Sequence, residues 1–97
     1  MKKSKQNLAL VAAIEDLTSK GYYVFIPVAA EELDFDMIAY NEQDEEYYRI
    51  RAEWATNGHI PTQFSDDDFD YYALYLPEVS TTVYPSVEFS GDHIHTN

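Results

Sequence analysis

Acidic side chains are the residues of this chain best suited to chemistry. Carboxylates in clusters can ligate a divalent cation, and at a suitable spacing they can imitate the phosphates of DNA. The three clusters are Glu31, Glu32 and Asp34; Asp44, Glu45 and Glu46; and Asp66, Asp67, Asp68 and Asp70. A different feature lies in the run YYRIRAEW, residues 47–54, where the alternate residues Arg49, Arg51 and Glu53 share one side of a predicted strand.

The net charge limits the class of partner. The chain has 18 Asp and Glu against 6 Lys and Arg, for a net charge of −12. Residues 1–20 carry four lysines and two acids, so residues 21–97 carry sixteen acids and two arginines, with no Lys or Arg after Arg51. DNA binding depends on cations that neutralise phosphates. Direct DNA binding is therefore not expected unless a divalent metal or a partner intervenes, although acidity can also serve only solubility.

Length and composition predict one small globular domain over residues 1–97. A chain of 97 residues is too short for two cores, and 45% hydrophobic residues with nine tyrosines argue against disorder. The absence of cysteine excludes disulfides and thiolate zinc sites. No apolar run approaches the roughly 20 residues of a membrane span, and acids interrupt the apolar N-terminal segment. We therefore expect an intracellular, cytoplasmic protein.

One helix and five strands must position the acids and arginines. The three- and four-residue spacing of Leu10, Ile14 and Leu17 predicts a helix with an apolar core face over residues 4–19, closed by Lys20 and Gly21. Residues 55–70 read as a loop with at most one helical turn, and residues 90–97 as a flexible tail. Strands are predicted from β-branched and aromatic residues at 22–28, 36–40, 47–54, 71–76 and 81–87.

The alternation in residues 47–54 predicts one buried and one charged face. Tyr48, Ile50, Ala52 and Trp54 would face the core, opposite the arginines and Glu53. The polar turn at 41–46 predicts a hairpin that joins the second and third strands. The simplest architecture is α+β, with the N-terminal helix packed on a mainly antiparallel, mixed sheet of four to five strands.

Five short segments follow one another along the chain: KGYYVFIPV, DFDMIAY, YYRIRAEW, DFDYYALYLPE and VYPSVEF. They cover most of residues 8–89, and no single segment would be enough to establish a resemblance to a known family. Together they resemble the PD-(D/E)XK nuclease superfamily, in particular the group I intron-associated homing endonucleases typical of cyanobacteria. The resemblance implies a minimal PD-(D/E)XK-like core and a degenerate member of that superfamily.

Catalysis in that family uses acidic ligands for magnesium and a lysine that orients or activates the attacking water. The resemblance places Asp36 at the strand-two aspartate. It places Arg51 and Glu53 at the strand-three pair, where the family has a glutamine or acid followed two residues later by lysine. The acid of the family's first helix falls near Leu10. The lysine and the helix acid are thus missing, so we interpret these as vestigial site positions and expect no cofactor.

A working site would need Asp36 and Glu53 to hold magnesium, with Arg51 supplying positive charge. Arg51 and Glu53 would lie on one face, about 7 Å apart along the strand. Arginine stays protonated, however, and cannot accept a proton as a lysine can. A salt-bridged relic of the site is therefore favoured, and magnesium-dependent cleavage is the alternative.

Other motifs give weaker signals. His93 and His95 alternate in the tail without a third nearby ligand, so a solvated tail is favoured over a transition-metal site. SDDDFD, residues 65–70, lacks the glycine and the closing glutamate of a calcium loop. The acidic clusters can equally be exposed turns.

The preferred function is that of a catalytically inactive nuclease-like protein, a pseudoenzyme, that acts through protein interaction. Its acidic clusters would imitate DNA and inhibit a basic nucleic-acid-binding enzyme. In a variant, the chain pairs with an active homologue in an oligomer, and exposed tyrosines at 22, 47, 71 or 84 supply the interface unless they are core. The alternatives are a magnesium-dependent homing-type DNA endonuclease with an altered site, and a solvated domain with no ligand. The resemblance also suggests a phage or mobile-element origin.

Overall fold

The computed structural model describes residues 4–55 and 64–87, and its first element is the helix α1, Lys5–Ser19. The helix begins where Ser4 Oγ accepts a hydrogen bond from Asn7 N at 3.1 Å. It ends at Ser19 and is capped by Lys20, which is followed by Gly21 with a φ of 93°, a conformation that only glycine adopts without strain. The predicted helix is therefore confirmed at both ends. Across the described segments, no helix has the length and apolar character that crossing a membrane requires.

Five strands form a single sheet. They are β1 Tyr23–Phe25, β2 Met37–Asn41, β3 Glu46–Trp54, β4 Tyr71–Leu76 and β5 Thr81–Val83, with a 3-10 helix at Ala30–Glu32. Their spatial order is β1-β2-β3-β4-β5. All neighbours are antiparallel except β3 and β4, which are parallel and so require a crossover connection through residues 55–70. The chain has the expected α+β architecture, one N-terminal helix on a five-stranded mixed sheet.

The two outer strands are shorter than predicted. The first ends at Phe25 rather than residue 28, close to Pro27, which has no N–H to donate. The last ends at Val83 rather than residue 87, shortly before Pro85. The chain beyond it still lies beside β4, since Tyr72 N donates to Pro85 O at 2.9 Å. The predicted tail at 90–97, with both of its histidines, lies outside the described residues.

Small side chains bring α1 close to the sheet. Ala9 and Ala13 of the helix are fully buried, as are Ala39, Ala52 and Ala73 of three adjacent strands. The larger Leu10 and Ile14, which the sequence predicts on the core face, are only partly buried at the margin of this core. A helix can approach a sheet closely where alanines face alanines, so α1 and the sheet are in close contact through small side chains.

A second core lies on the opposite face of the sheet. Ala73 of β4 packs toward α1, whereas its neighbours Tyr72 and Leu74 pack against Phe69 of the crossover. Phe69 contacts the rings of Phe64 and Tyr72 edge to face, with centroids 5.3 and 5.0 Å apart. The charged face predicted for residues 47–54 therefore does not extend to β4, where aromatic residues of the crossover cover the sheet.

Candidate functional site

The site implied by the family resemblance lies where β2 and β3 meet, on the face opposite α1. Ile50 and Ala52 pack toward α1, so the intervening Arg51 and the next residue of that parity, Glu53, lie on the opposite face. Asp36 precedes Met37, which also packs toward α1, so Asp36 shares that opposite face. The fold thus brings Asp36, Arg51 and Glu53 to one side of the sheet, as the sequence predicts.

Arg51 is held by three partners. Its Nε donates to Glu53 Oε2 at 2.7 Å, and its Nη1 donates to the carbonyl oxygen of Asp34 at 3.1 Å. The guanidinium carbon lies 4.4 Å from the centroid of the Phe64 ring, in cation–π contact. The side chains of Arg51 and Glu53 are 28% and 19% exposed. The predicted salt bridge is therefore present, and it is partly shielded from water.

Asp36 has a structural role at the end of the β2–β3 ladder. Its backbone N donates to Ile50 O at 2.8 Å, and its carboxylate Oδ2 accepts a hydrogen bond from Ala52 N at 2.7 Å. The carboxylate thus satisfies a backbone donor of β3. One of its oxygens is committed to holding the two strands together.

Gln6 of α1 binds Ala52, the residue whose backbone N donates to Asp36. Sequence reasoning missed this contact. Gln6 Nε2 donates to Ala52 O at 2.7 Å, so both backbone polar groups of Ala52 are bound by side chains. The available signal was the spacing of Gln6, which precedes Ala9 and Ala13 by three and seven residues and so shares their face of α1, at its exposed N-terminal end. Leu10, the position implied for the family's helix acid, packs instead against the core.

The donor set fits a magnesium site poorly. Glu53 is paired with Arg51, and Asp36 is bound to a backbone N–H. Among residues 4–55 and 64–87, no group of three His, Cys, Asp or Glu side chains lies close enough to hold a metal ion. Magnesium prefers oxygen ligands that are free of competing cations. The face of β3 is therefore better described as a closed ion pair than as an open metal site.

Arg49, two residues earlier on β3, binds the acidic crossover. Its guanidinium donates to both carboxylate oxygens of Asp70 at 3.2 and 3.3 Å, to Asp67 O at 3.1 Å and to Asp66 O at 3.0 Å. The backbone N of Arg49 also donates to Asp70 Oδ2 at 2.7 Å. Partial burial alone would raise the pKa of Asp70, but the hydrogen bonds from Arg49 bring it below its usual value. Arg49 therefore fixes the position of this acidic segment.

The arginines bring two of the three acidic clusters to β3. Arg51 binds the carbonyl of Asp34, and Arg49 binds the segment that holds Asp66 and Asp67. Glu46, from the third cluster, lines a cleft of about 310 Å³ together with Asp66 and Asp70. The remaining predicted residues lie on the 3-10 helix, in the β2–β3 turn and in the crossover turn: Glu31 and Glu32; Asp44 and Glu45; and Asp68, which accepts a hydrogen bond from Ser65 N.

The predicted interface tyrosines divide into two kinds. Tyr22 and Tyr84 pack against the core beneath α1, and Tyr84 donates from its hydroxyl to Asp16 Oδ2 at 2.5 Å. Tyr47 and Tyr71 are exposed. Burial and the hydrogen bond to Asp16 raise the pKa of Tyr84, which keeps its phenol protonated. Only the exposed pair is therefore available to a partner.

Comparisons with known proteins support a nuclease-like fold. No family model matches the chain, and no curated protein matches it. Among solved structures, it is similar to the bacterial homing endonuclease I-Ssp6803I, with a TM-score of 0.74 and 17% sequence identity, over 96% of this chain and 76% of that one. At this identity the likeness is one of fold. The chain therefore has a homing endonuclease-like α+β fold.

Proposed function

We propose that this chain is a nuclease-like protein that does not cleave DNA and acts by binding another protein through its acidic surface. The observation that carries the proposal is the pairing of Arg51 with Glu53 at 2.7 Å, at the positions where the family resemblance implies a metal ligand and a lysine. A cation that is paired, stacked on Phe64 and permanently protonated cannot take a proton from water.

The charge distribution favours a basic protein as the partner. The arginines bind Asp34, Asp66 and Asp67 through the backbone carbonyl oxygens of these residues. The carboxylates of the three residues take no part in these hydrogen bonds. The arginines thus order the acidic segments without neutralising these side chains. Carboxylates on segments that are held against a sheet can occupy the basic groove of a nucleic-acid-binding enzyme in the way DNA phosphates do. An active homologue of the same fold is the other candidate partner.

A second candidate function is magnesium-dependent cleavage of DNA with an altered site. The observation that favours it is the likeness in fold to a homing endonuclease, together with Asp36 and Glu53 on one face of the sheet. Magnesium would supply positive charge to stabilise the scissile phosphate. The fit of these two carboxylates to the metal is poor, for the reasons given above. Cleavage that depends on Asp36 would distinguish this function from the first.

Affinity capture from a host lysate at two salt concentrations tests the proposed function. If DNA mimicry operates, the chain captures a basic nucleic-acid-binding protein at low salt, loses it at moderate salt, and inhibits the DNA binding of that protein once purified. A nuclease-like homologue that is retained at high salt would instead identify a mixed oligomer. Capture that does not change when Asp66 and Asp67 are both replaced by asparagine would contradict a role for the acidic surface.

A further inference from the structure

Among residues 4–55 and 64–87, the face of the sheet opposite α1 is covered at β4 and exposed at β1 and the start of β3. At β4, Tyr72, Leu74 and Phe69 of the second core are fully buried. At β1 and the start of β3, Tyr23, Phe25 and Tyr47 are 53%, 54% and 64% exposed. Contiguous exposed apolar side chains on one face of a sheet are a candidate interaction surface.

The exposed side chains form a continuous aromatic surface across three strands. Tyr23 pairs in register with Tyr40, and Tyr40 pairs with Tyr47. The ring centroids of Tyr23 and Tyr40 lie 6.4 Å apart, and those of Tyr40 and Tyr47 lie 4.5 Å apart. Phe25 pairs with Ile38 in the next row. We call the five residues Tyr23, Phe25, Ile38, Tyr40 and Tyr47 the open aromatic face.

Arg49 marks the boundary of the open aromatic face. It pairs in register with Ile38, and it holds the crossover segment that ends at Asp70. Its charge is matched by the carboxylate of Asp70. Beyond Arg49 toward β1, none of the described segments covers these rings, as the exposure of Tyr47 and Phe25 indicates.

The negative charge beside the open aromatic face favours a positively charged binding partner. Glu46 and Asp66 line the cleft of about 310 Å³ that also includes Tyr47. Within the described residues, neither carboxylate makes an ion pair with Lys or Arg. Aromatic rings next to unpaired carboxylates form a good site for a guanidinium or ammonium group, which can stack on the ring and pair with the acid. The chain itself contains such a contact, because Arg51 stacks on Phe64 and pairs with Glu53.

We propose that the open aromatic face is the docking surface for an arginine-rich segment of a basic partner protein. A guanidinium of the partner stacks on the ring of Tyr47 and pairs with Asp66 or Glu46, the carboxylates that line the same cleft. This inference rests on the proposed function and specifies where the partner binds. A net charge of −12 disfavours both a second copy of this chain and a nucleic acid strand as the occupant, because each would bring further negative charge to the face.

Binding of a labelled nona-arginine peptide to the full chain, measured by fluorescence anisotropy in EDTA at moderate salt, tests the inference. We expect Tyr47→Ala to weaken binding about fivefold and Tyr47→Phe to leave it nearly unchanged, because the ring carries the cation–π contact. Glu46→Gln should weaken binding more than Glu15→Gln, which removes the same charge from α1. Circular dichroism checks that each variant is folded.

Two outcomes would overturn the inference. One is equal weakening by Glu46→Gln and Glu15→Gln with no effect of Tyr47→Ala, since binding would then depend on net charge alone. The other is a concentration-dependent dimer in sedimentation equilibrium that Phe25→Ser abolishes, since the occupant would then be a second copy. The peptide assay needs no natural partner, so its failure is distinguishable from failure of the lysate capture.

Discussion

Arg51 Nε and Glu53 Oε2 lie 2.7 Å apart on the face of β3 where the family resemblance implies catalytic residues. Both side chains are mostly shielded from water, and Phe64 of the crossover lies against the guanidinium. The pair is thus part of the packing that joins β3 to the crossover. Glu53 is therefore engaged by Arg51 in this structure.

Restoring the family's residue types at this pair should not restore cleavage. In the double variant Arg51→Gln, Glu53→Lys, we expect the fold to survive with a loss of up to about 2 kcal/mol, because a partly exposed ion pair and one stacking contact are removed. Leu10 remains apolar, so the helix acid is still absent. Thermal unfolding and a DNA-nicking assay check both expectations. Cleavage by this variant would show that the strand pair alone decides activity.

Arg49 should be the more important arginine for the order of the acidic crossover. Arg49→Ala removes the donors to Asp66, Asp67 and Asp70, and we expect a loss of about 1–2 kcal/mol, since these bonds are charge-assisted but partly exposed. Amide hydrogen exchange should accelerate at Asp68 and Asp70 before it does in β2. Arg49→Lys is the matched control, because it keeps the charge but not the forked geometry. Unchanged exchange at Asp68 in Arg49→Ala would contradict the assignment.

Asp16 should make the stability of the protein depend on pH in acid. Burial alone would raise its pKa, but the hydrogen bond from Tyr84 and the ion pair with Lys20 at 2.9 Å bring the pKa below its usual value. A carboxyl with a lowered pKa in the folded state stabilises the protein above its unfolded-state pKa, about 4, and loses that contribution as the pH falls through the lower folded value. Asp70 acts in the same direction.

The pH prediction is tested by the difference between Asp16→Asn and the unmodified chain. The destabilisation caused by Asp16→Asn should be greatest near neutral pH and should shrink below about pH 4. Comparing the two proteins at each pH cancels the general effect of relieving acidic self-repulsion. Urea unfolding followed by circular dichroism gives the free energies. A difference that is constant from neutral pH to the acid limit would rule out the proposed linkage.

The alanine contact between α1 and the sheet should not tolerate a larger side chain. Ala13 is fully buried against a core that includes Ala52 and Ala73, so Ala13→Leu should cost at least about 1–3 kcal/mol through overpacking. Ala12→Leu is the matched control, because Ala12 is only partly buried on the adjacent side of the helix. Denaturant unfolding of the two variants measures the difference. Equal stability would show that the helix can shift away from the sheet.

The helix and the individual strands were predictable because their signals are local. The spacing of Leu10, Ile14 and Leu17 and the alternation from Tyr48 to Trp54 each follow from one element's own periodicity. The crossover was not predictable in this way. Its acidic composition indicated a solvated loop, whereas Phe69 is buried near its C-terminal end and Phe64 contacts Arg51.

The roles of the two arginines depended on long-range contacts. Arg51 was predictable as half of an ion pair because Glu53 is two residues away. Arg49 bonds to residues 17 to 21 positions along the chain, and only the parallel β3–β4 pairing brings them together. Asp36 was predicted from the resemblance as a vestigial ligand, but its hydrogen bond to Ala52 N required the register of β2 on β3.

The most direct test of the central claim is a cleavage assay on a supercoiled plasmid pool with random inserts, in magnesium or manganese, with an active nuclease as the positive control. The account predicts no metal-dependent nicking by the purified chain and no difference between it and Asp36→Ala. Metal-dependent nicking that Asp36→Ala abolishes, while the variant remains folded, would contradict the account and identify the chain as an active nuclease.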